Sequence, residues 1–270
     1  MMVELLPMIL TLMAVGAFAG LLAGLLGVGG GIVLVPAYLW LFTSLGYGSD
    51  QIMQVCLATS LATIIVTSAR SVLAHHRKGA VDWSILRSWA PGIMVGALIG
   101  VAAVSRLRTP TLQAIFGVMV LLIALYMAFG RKEWRLWPAM PGGVTRALWS
   151  AGIGFLSVLV GIGGGSLAVP TMTLSNVPIH RAVATAAGFG VAIALPSVAA
   201  FVLMPLAGTP PYTLGAVNLP AFAITIAMTL MTAPLGASLA HRTDPARLKR
   251  VFAGFLALVA LNMLRKVLLG

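Results

Sequence analysis

Charged side chains are scarce in this sequence: they make up 8% of its 270 residues, and five of them are acidic. So few charges cannot cover the surface of a globule that faces water on all sides. Hydrophobic residues account for 60% of the chain, and the mean hydropathy is +1.05. This composition excludes an ordinary soluble domain and predicts an integral membrane protein.

Cysteine and paired acids are also missing. The one cysteine, Cys56, lies in an apolar run, so neither a disulfide framework nor a cysteine metal site is expected. The acids lie at segment ends or in connections, where they cannot form the carboxylate pair that acid–base catalysis or a metal would need. We therefore expect no metal, no cofactor and no enzyme. The five acids are Glu4, Asp50, Asp82, Glu133 and Asp244.

The net charge of +12 comes from short basic clusters between long apolar runs. Such spacing predicts membrane orientation and no nucleic-acid partner, because a nucleic-acid binder gathers its basic residues on one polar face. The first Lys or Arg is Arg70, so the basic start of a cleavable signal is missing and we expect the first apolar segment to be retained.

Eight apolar segments follow one another along the chain, and about 20 residues suffice for one crossing. The first and the fifth are too long for one crossing, and glycines interrupt both. The segments cover 5–42, 52–73, 84–105, 111–130, 147–175, 182–205, 219–240 and 246–268.

The two interruptions belong to an internal repeat. Residues 27–36 and 161–170 share the pattern Gly-x-Gly-Gly-Gly-x4-Pro. Further matches follow in the same order, which predicts a first membrane repeat at 1–130, a linker at 131–146 and a second repeat at 147–270. The matched pairs are Ala58-Thr59 with Ala184-Thr185, 79–82 with 215–218, Gly100 with Gly236, and Arg106 with Arg242.

The basic residues favour one arrangement of the repeats. If each broken segment turns back at its glycines, as a hairpin or as two short helices, 13 of the 17 Lys and Arg fall on one side of the membrane. A single crossing by each broken segment leaves hardly any bias. The positive-inside rule thus predicts an all-α polytopic membrane protein of two inverted repeats, each a broken segment plus three transmembrane helices. Both termini would lie outside the cytoplasm and the linker inside.

Glycines in mid-membrane leave backbone groups unpaired, so each break must line a cavity or be buried in protein. The chain should resume as a half-helix near Ile32 and near Ser166, and each helix start attracts an anion by about 0.3–2 kcal/mol. The alternative is that the glycines only allow tight packing. As anion-binding backbone we predict Gly29, Gly30 and Gly31 with Gly163, Gly164 and Gly165.

Hydroxyl groups near the breaks could donate to the same anion, and the candidates are Thr59, Ser60, Ser166 and Thr185. The alternative for such hydroxyls is a bond to their own helix or to a neighbouring helix. Arg181 is either a cation at the mouth or a marker of the helix end. The glycines at 16, 20 and 24 and at 92, 96 and 100 predict helix contacts within the fold or across a homodimer.

The doubled glycine motif, followed by Ala-Thr-Ser at 58–60 or Ala-Thr-Ala at 184–186, resembles the sulfite exporter TauE/SafE family. The run Arg-Leu-x4-Leu-x3-Phe-Gly at 106–117 adds to the resemblance. It implies a plasma-membrane permease for small oxyanions such as sulfite or organosulfonates, usually moving them outward. Ser60 is matched by Ala186, so we expect the two halves to hold the anion unequally.

Together these observations predict a secondary transporter that exports small sulfur-containing oxyanions and has a small anion and the lipid bilayer as partners. The alternatives are an anion channel, an uptake permease for a small anion, and, with less support, a membrane-embedded enzyme or assembly factor. Efflux is favoured because an interior-negative potential of 100 mV drives anion exit by about 2.3 kcal/mol per charge.

Overall fold

The computed structural model describes residues 2–26, 30–130, 136–240 and 245–269. Within them the chain forms ten helices and one short hairpin, as expected for an all-α membrane protein. Eight helices are long and apolar enough to cross a membrane. The elements are α1 Met2–Leu26, α2 Gly31–Ser44, α3 Ile52–Arg77, α4 Trp83–Val104, α5 Thr109–Phe129, α6 Gly143–Val160, α7 Gly165–Leu174, α8 Ile179–Val202, β1 Thr213–Leu214, β2 Val217–Asn218, α9 Leu219–Ala240 and α10 Pro245–Leu269.

Each broken segment is a long helix followed by a short one. The 25-residue α1 precedes the 14-residue α2, and the 18-residue α6 precedes the 10-residue α7. The break therefore separates one long and one short helix in each repeat, where the sequence suggested a hairpin or two short helices. The first helix of each pair, α1 or α6, is long enough to span a bilayer, whereas the second, α2 or α7, is not.

The two halves of the chain interlock. Helix α1 packs along α9, and its counterpart α6 packs along α4, so the first helix of each half lies against the fourth helix of the other. The counterpart pairs α3 with α8 and α5 with α10 also pack together. Helix α3 is the most enclosed of them, since every residue from 52 to 64 is buried.

Small residues explain the closest helix contacts. Gly16 and Gly20 on α1 lie directly against the backbone of Thr225 and Thr229 on α9, and the Thr229 hydroxyl donates to the carbonyl of Gly16 at 3.1 Å. The glycines at 92, 96 and 100 on α4 lie against α6 in the same way. The predicted packing role of these five glycines within the fold is confirmed.

Connections collect at two faces of the bundle. At the Asp82 face, Arg181 contacts Asp82. The N–H of Leu136, in the linker, donates to the Leu174 carbonyl at 2.9 Å just ahead of the α7–α8 connection. At the Asp50 face, the N–H of Thr109 donates to the carbonyl of Asp50 at 2.7 Å, which ties the connection after α4 to the one after α2. Which face lies in the cytoplasm stays a prediction.

Candidate functional site

Short helices begin at both glycine breaks, as predicted. Helix α2 begins at Gly31, and the first bonds of its ladder run from Val33 and Leu34 to the Gly30 carbonyl, both at 3.0 Å. The N–H of Ala168 likewise donates to the Gly164 carbonyl at 2.8 Å. The N–H groups ahead of these bonds have no partner within their own helix. Gly29 lies outside the described residues.

The two breaks are in direct contact with each other. A side chain on Gly31 would strike the Gly161 carbonyl oxygen and would come within 3.1 Å of Cα of Ile162. Gly161 ends α6 in the left-handed conformation, with φ of +64°, which an L residue adopts only with strain. The start of α2 therefore lies against the end of α6, where the second break begins.

Ser60 connects the first half to the second break. Its hydroxyl donates to the carbonyl of Gly161 at 2.8 Å, and the side chain is fully buried. The matching residue, Ala186, has no hydroxyl, and its backbone carbonyl lies against Gly164. The two halves hold the second break by different contacts.

Thr59 and Thr185 each bond to the opposite half. The Asn218 N–H donates to the hydroxyl oxygen of Thr59 at 3.0 Å, and the Asp82 N–H donates to that of Thr185 at 2.9 Å. Asp82 and Asn218 are the last residues of the matched segments 79–82 and 215–218. Each threonine thus fixes the turn that precedes the fourth helix of the other repeat.

Arg181 lies apart from the breaks, in the first turn of α8. Its Nη2 atom is 3.0 Å from Oδ2 of Asp82, while its side chain is 52% exposed. The sequence suggested that Arg181 was either a cation at the mouth or a marker of the helix end, and neither role included a bond to Asp82. The sequence showed Asp82 only as an acid at the end of a segment, because no local pattern links it to a basic residue so far along the chain.

The glycines of the second break are packed unequally. A methyl group on Gly164 would lie 2.7 Å from the Ala186 carbonyl oxygen and 2.7 Å from Cβ of Phe189. One on Gly163 would meet Cγ2 of Ile64 at 3.3 Å and otherwise find neighbours only at 3.9 Å. Tight packing, the alternative explanation for these glycines, therefore applies more strongly to Gly164, which meets backbone, than to Gly163, which has one tight contact with a side chain.

Ser166 has a buried hydroxyl with no hydrogen-bond partner among the described residues. The residue is 6% exposed and follows Gly165, the first residue of α7. It lines a cavity of about 250 Å³ between α5, α7, Trp149 of α6 and the linker. Apolar side chains form most of the wall, to which Ser166, Thr171 and Tyr126 add hydroxyl-bearing side chains. The other wall residues are Met119, Leu122, Ile123, Tyr126, Leu136, Trp137, Leu167, Pro170, Thr171 and Leu174.

A second cavity, of about 400 Å³, opens at the Asp50 face. Its wall is polar and includes Arg106, Arg108 and Asp50. The pair Arg108–Asp50 is loose, with 3.8 Å between nitrogen and oxygen and both side chains more than two-thirds exposed. No group of three or more His, Cys, Asp or Glu side chains suited to a metal occurs in the described part of the chain.

Interlocked apolar helices and a buried pair of helix starts define a multi-pass α-helical membrane protein. The chain matches the sequence profile of the family "Sulfite exporter TauE/SafE" over residues 12–263, and it belongs to that family. A "Probable membrane transporter protein" of Haemophilus influenzae is 34% identical over 262 residues, which cover 96% of this chain and 98% of that protein.

Two further relatives carry related names. A "Probable membrane transporter protein" of Methanocaldococcus jannaschii is 26% identical and covers 97% of each chain. The "Probable membrane transporter protein YunE" of Bacillus subtilis is 32% identical over 60% of this chain and 66% of its own length. No solved structure matches the chain significantly. Family and relatives together make this chain a membrane transporter.

Proposed function

We propose that the protein is a secondary transporter that exports small sulfur-containing oxyanions, such as sulfite or organosulfonates, across the plasma membrane. The family to which it belongs carries the name of sulfite export. The anion would bind at the glycine breaks. The protein would act on its substrate only by moving it, without catalysing a reaction.

The main support for this binding site comes from the unpaired donors at the start of α7. The N–H groups of Gly165, Ser166 and Leu167 precede the first bond of the helix ladder, so their positive ends remain available to an acceptor. The unpartnered hydroxyl of Ser166 supplies one more donor. Several donors without a fixed negative charge suit an oxyanion, which brings the charge and the acceptor oxygens itself.

Thr59, Ser60 and Thr185 would act mainly as supports of this site. Thr59 and Thr185 accept backbone N–H groups and Ser60 donates to a carbonyl, so all three already have backbone partners. Ser60 can donate to an anion only if its bond to the Gly161 carbonyl is broken, whereas the bonds of Thr59 and Thr185 use the hydroxyl oxygen and leave the hydroxyl proton unspent. The Gly31 amide lies beside the second break and would contribute from the first half.

The inverted arrangement of the repeats remains part of the proposal. Helix α3 ends near the Asp82 face, because Lys78 and Gly79 follow it, whereas the counterpart α8 begins at that face with Arg181. Counterpart helices that run in opposite directions support inversion. With the linker inside, a cysteine that replaces Lys78 should be labelled only from the cytoplasm.

Flux from proteoliposomes tests the function directly. Purified protein should release sulfite or an organosulfonate with saturable kinetics and should show counterflow when the same anion is present on both sides. Flux without saturation or counterflow would indicate an anion channel. A protein that moves none of a panel of sulfur oxyanions would contradict the proposal.

A substitution at Gly163 tests the site. Gly163→Ala adds a methyl group directly beside the proposed anion, and its one tight contact, 3.3 Å from Cγ2 of Ile64, needs a shift of a few tenths of an ångström in that side chain. We expect transport to fall about tenfold or more, the equivalent of about 1.4 kcal/mol of binding, while the thermal midpoint changes little.

Two other glycines serve as controls for Gly163→Ala. Gly164→Ala should lower stability sharply, because its methyl group would overlap the backbone of α8. Gly152→Ala, in α6, should leave both transport and stability unchanged, since nothing lies within 4 Å of the added group. Normal transport by the Gly163→Ala variant would contradict binding of the anion at the second break.

A further inference from the structure

The ion pair between Asp82 and Arg181 joins the start of α4 to the start of α8 at one face of the protein. Asp82 does not need Arg181 to hold its position, because its Oδ1 atom accepts the N–H groups of Ser84 and Ile85 at 3.1 and 3.2 Å. The second oxygen, Oδ2, is the one that meets the guanidinium. Arg181 is therefore the exchangeable partner of the two.

Water and solutes can reach this pair. The Arg181 side chain is 52% exposed and that of Asp82 is 19% exposed. Ion pairs this accessible contribute little to stability, so a dissolved anion can compete with the carboxylate for the guanidinium. A tetrahedral oxyanion offers the same pair of oxygens that a carboxylate does.

The ion pair lies above the second break. Inward from the face, Leu86 of α4 covers Gly188 of α8, and two residues later Gly190 contacts Ser68 of α3 and approaches Gly164. A helix rise of 1.5 Å per residue puts Gly190 about 14 Å from Arg181 along α8. Along α8, Leu86 at the start of α4 therefore lies between this face and the second break.

The matching position in the other repeat carries no charge. Asn218 takes the place of Asp82 and donates its side-chain NH₂ to the Pro211 carbonyl and the Thr213 hydroxyl, within its own turn. The residue that matches Arg181 is Val55, which is fully buried. An anion would find no cationic side chain at this matched position. The two repeats therefore differ in charge at the start of their fourth helices.

We propose that the Asp82–Arg181 pair is a latch that an oxyanion releases by taking the place of Asp82 on Arg181. Release removes the charged contact between α4 and α8, leaves the bond from the Asp82 N–H to the Thr185 hydroxyl, and lets Leu86 move away from Gly188. The latch rests on the proposed function for its substrate class, since a transported oxyanion is the ligand that would reach Arg181. Arg181 is then the first contact of the anion, and Asp82 is a positioning residue that acts through it.

Accessibility of a cysteine behind the latch tests this directly. Ser68→Cys in a Cys56→Ala background, held in nanodiscs, is labelled with a small water-soluble maleimide in potassium sulfate or in potassium chloride of equal ionic strength. Sulfate should raise the labelling rate by about two- to fivefold, the bias that a partly exposed ion pair can exert. Asp82→Asn should label at the higher rate without sulfate, and Arg181→Gln should show no response to sulfate.

Arg108→Gln is the matched control, because it breaks the ion pair at the opposite face and should leave the sulfate response intact. Asp82→Asn keeps its fold because Asn caps a helix as well as Asp does, and an unchanged thermal midpoint verifies that. The latch is overturned if sulfate has no effect on the reporter protein, if Asp82→Asn labels at the slow rate, or if Arg181→Gln still responds. The expected labelling pattern without any sulfite flux would overturn the proposed function and leave the latch standing.

Discussion

The turns before α4 and α9 share one sequence pattern and several features of local structure. Gly79 and Gly215 both adopt positive φ, at +65° and +58°. Asp82 and Asn218 both accept backbone N–H groups at the start of the following helix, and both donate their own N–H to a threonine of the other repeat. These features of the turn are therefore shared, although a β-hairpin carries only the turn before α9.

The surroundings of the two turns differ. Asn218 is 4% exposed, and a side chain on Gly215 would strike the carbonyl oxygens of Phe201 and Val202. Gly79 has open space around it, and Asp82 reaches outward to Arg181. The turn before α9 is buried and held by neutral hydrogen bonds, whereas the turn before α4 lies at the surface and also forms an ion pair. The same motif thus serves as a fixed contact at one end and as a releasable one at the other.

The largest expected difference comes from the two glycines. Gly215→Ala should cost about 3–5 kcal/mol, because strain at positive φ and overlap with two carbonyls add together. Gly79→Ala should cost about 1 kcal/mol, from the strain alone. Thermal denaturation of both variants in detergent measures the difference. Equal losses would show that the two turns are enclosed alike.

The two threonines should give a smaller difference. Thr59→Val and Thr185→Val each remove the acceptor of a backbone N–H, and a buried unpaired donor costs about 1–3 kcal/mol. Thr59→Val should lie at the upper end, because Asn218 is almost fully enclosed, whereas water can reach Asp82.

Thr67→Val is the control for both threonines, since its hydroxyl bonds only within α3, to Thr63 at 3.1 Å and Ile64 at 3.4 Å. The three thermal midpoints are compared under one condition. A loss for Thr67→Val as large as for Thr59→Val would argue against the cross-repeat bonds as the cause.

The smallest effect on stability is expected for Asp82→Asn. The ion pair is partly exposed, so its loss should change the free energy of unfolding by less than about 1 kcal/mol. The dependence of the thermal midpoint on salt concentration should also become weaker, because a screened pair is lost. A loss of several kcal/mol would mean that the pair is a structural anchor, which a dissolved anion could not displace.

Several features of the fold could be predicted from sequence because they depend on local pattern. The apolar segments predict the spanning helices, since each needs only enough hydrophobic length. The doubled glycine motif predicts where α2 and α7 begin, and the spacing at 16, 20, 92 and 96 predicts close helix contacts. The length of α1 was less clear, because its apolar run continues into the break.

The partners of the candidate site residues needed the tertiary structure. Ser60 bonds to a residue 101 positions away, Thr185 to one 103 positions away and Thr59 to one 159 positions away. The repeat match aligned each threonine and each turn with its counterpart, but it could not show that they bond crosswise. A hydroxyl takes whichever backbone group lies nearest in space, and that depends on how the two halves interlock. The sequence determined the class of protein and the position of both breaks, whereas packing decided which polar groups are paired and which, like the Ser166 hydroxyl, have no hydrogen-bond partner among the described residues.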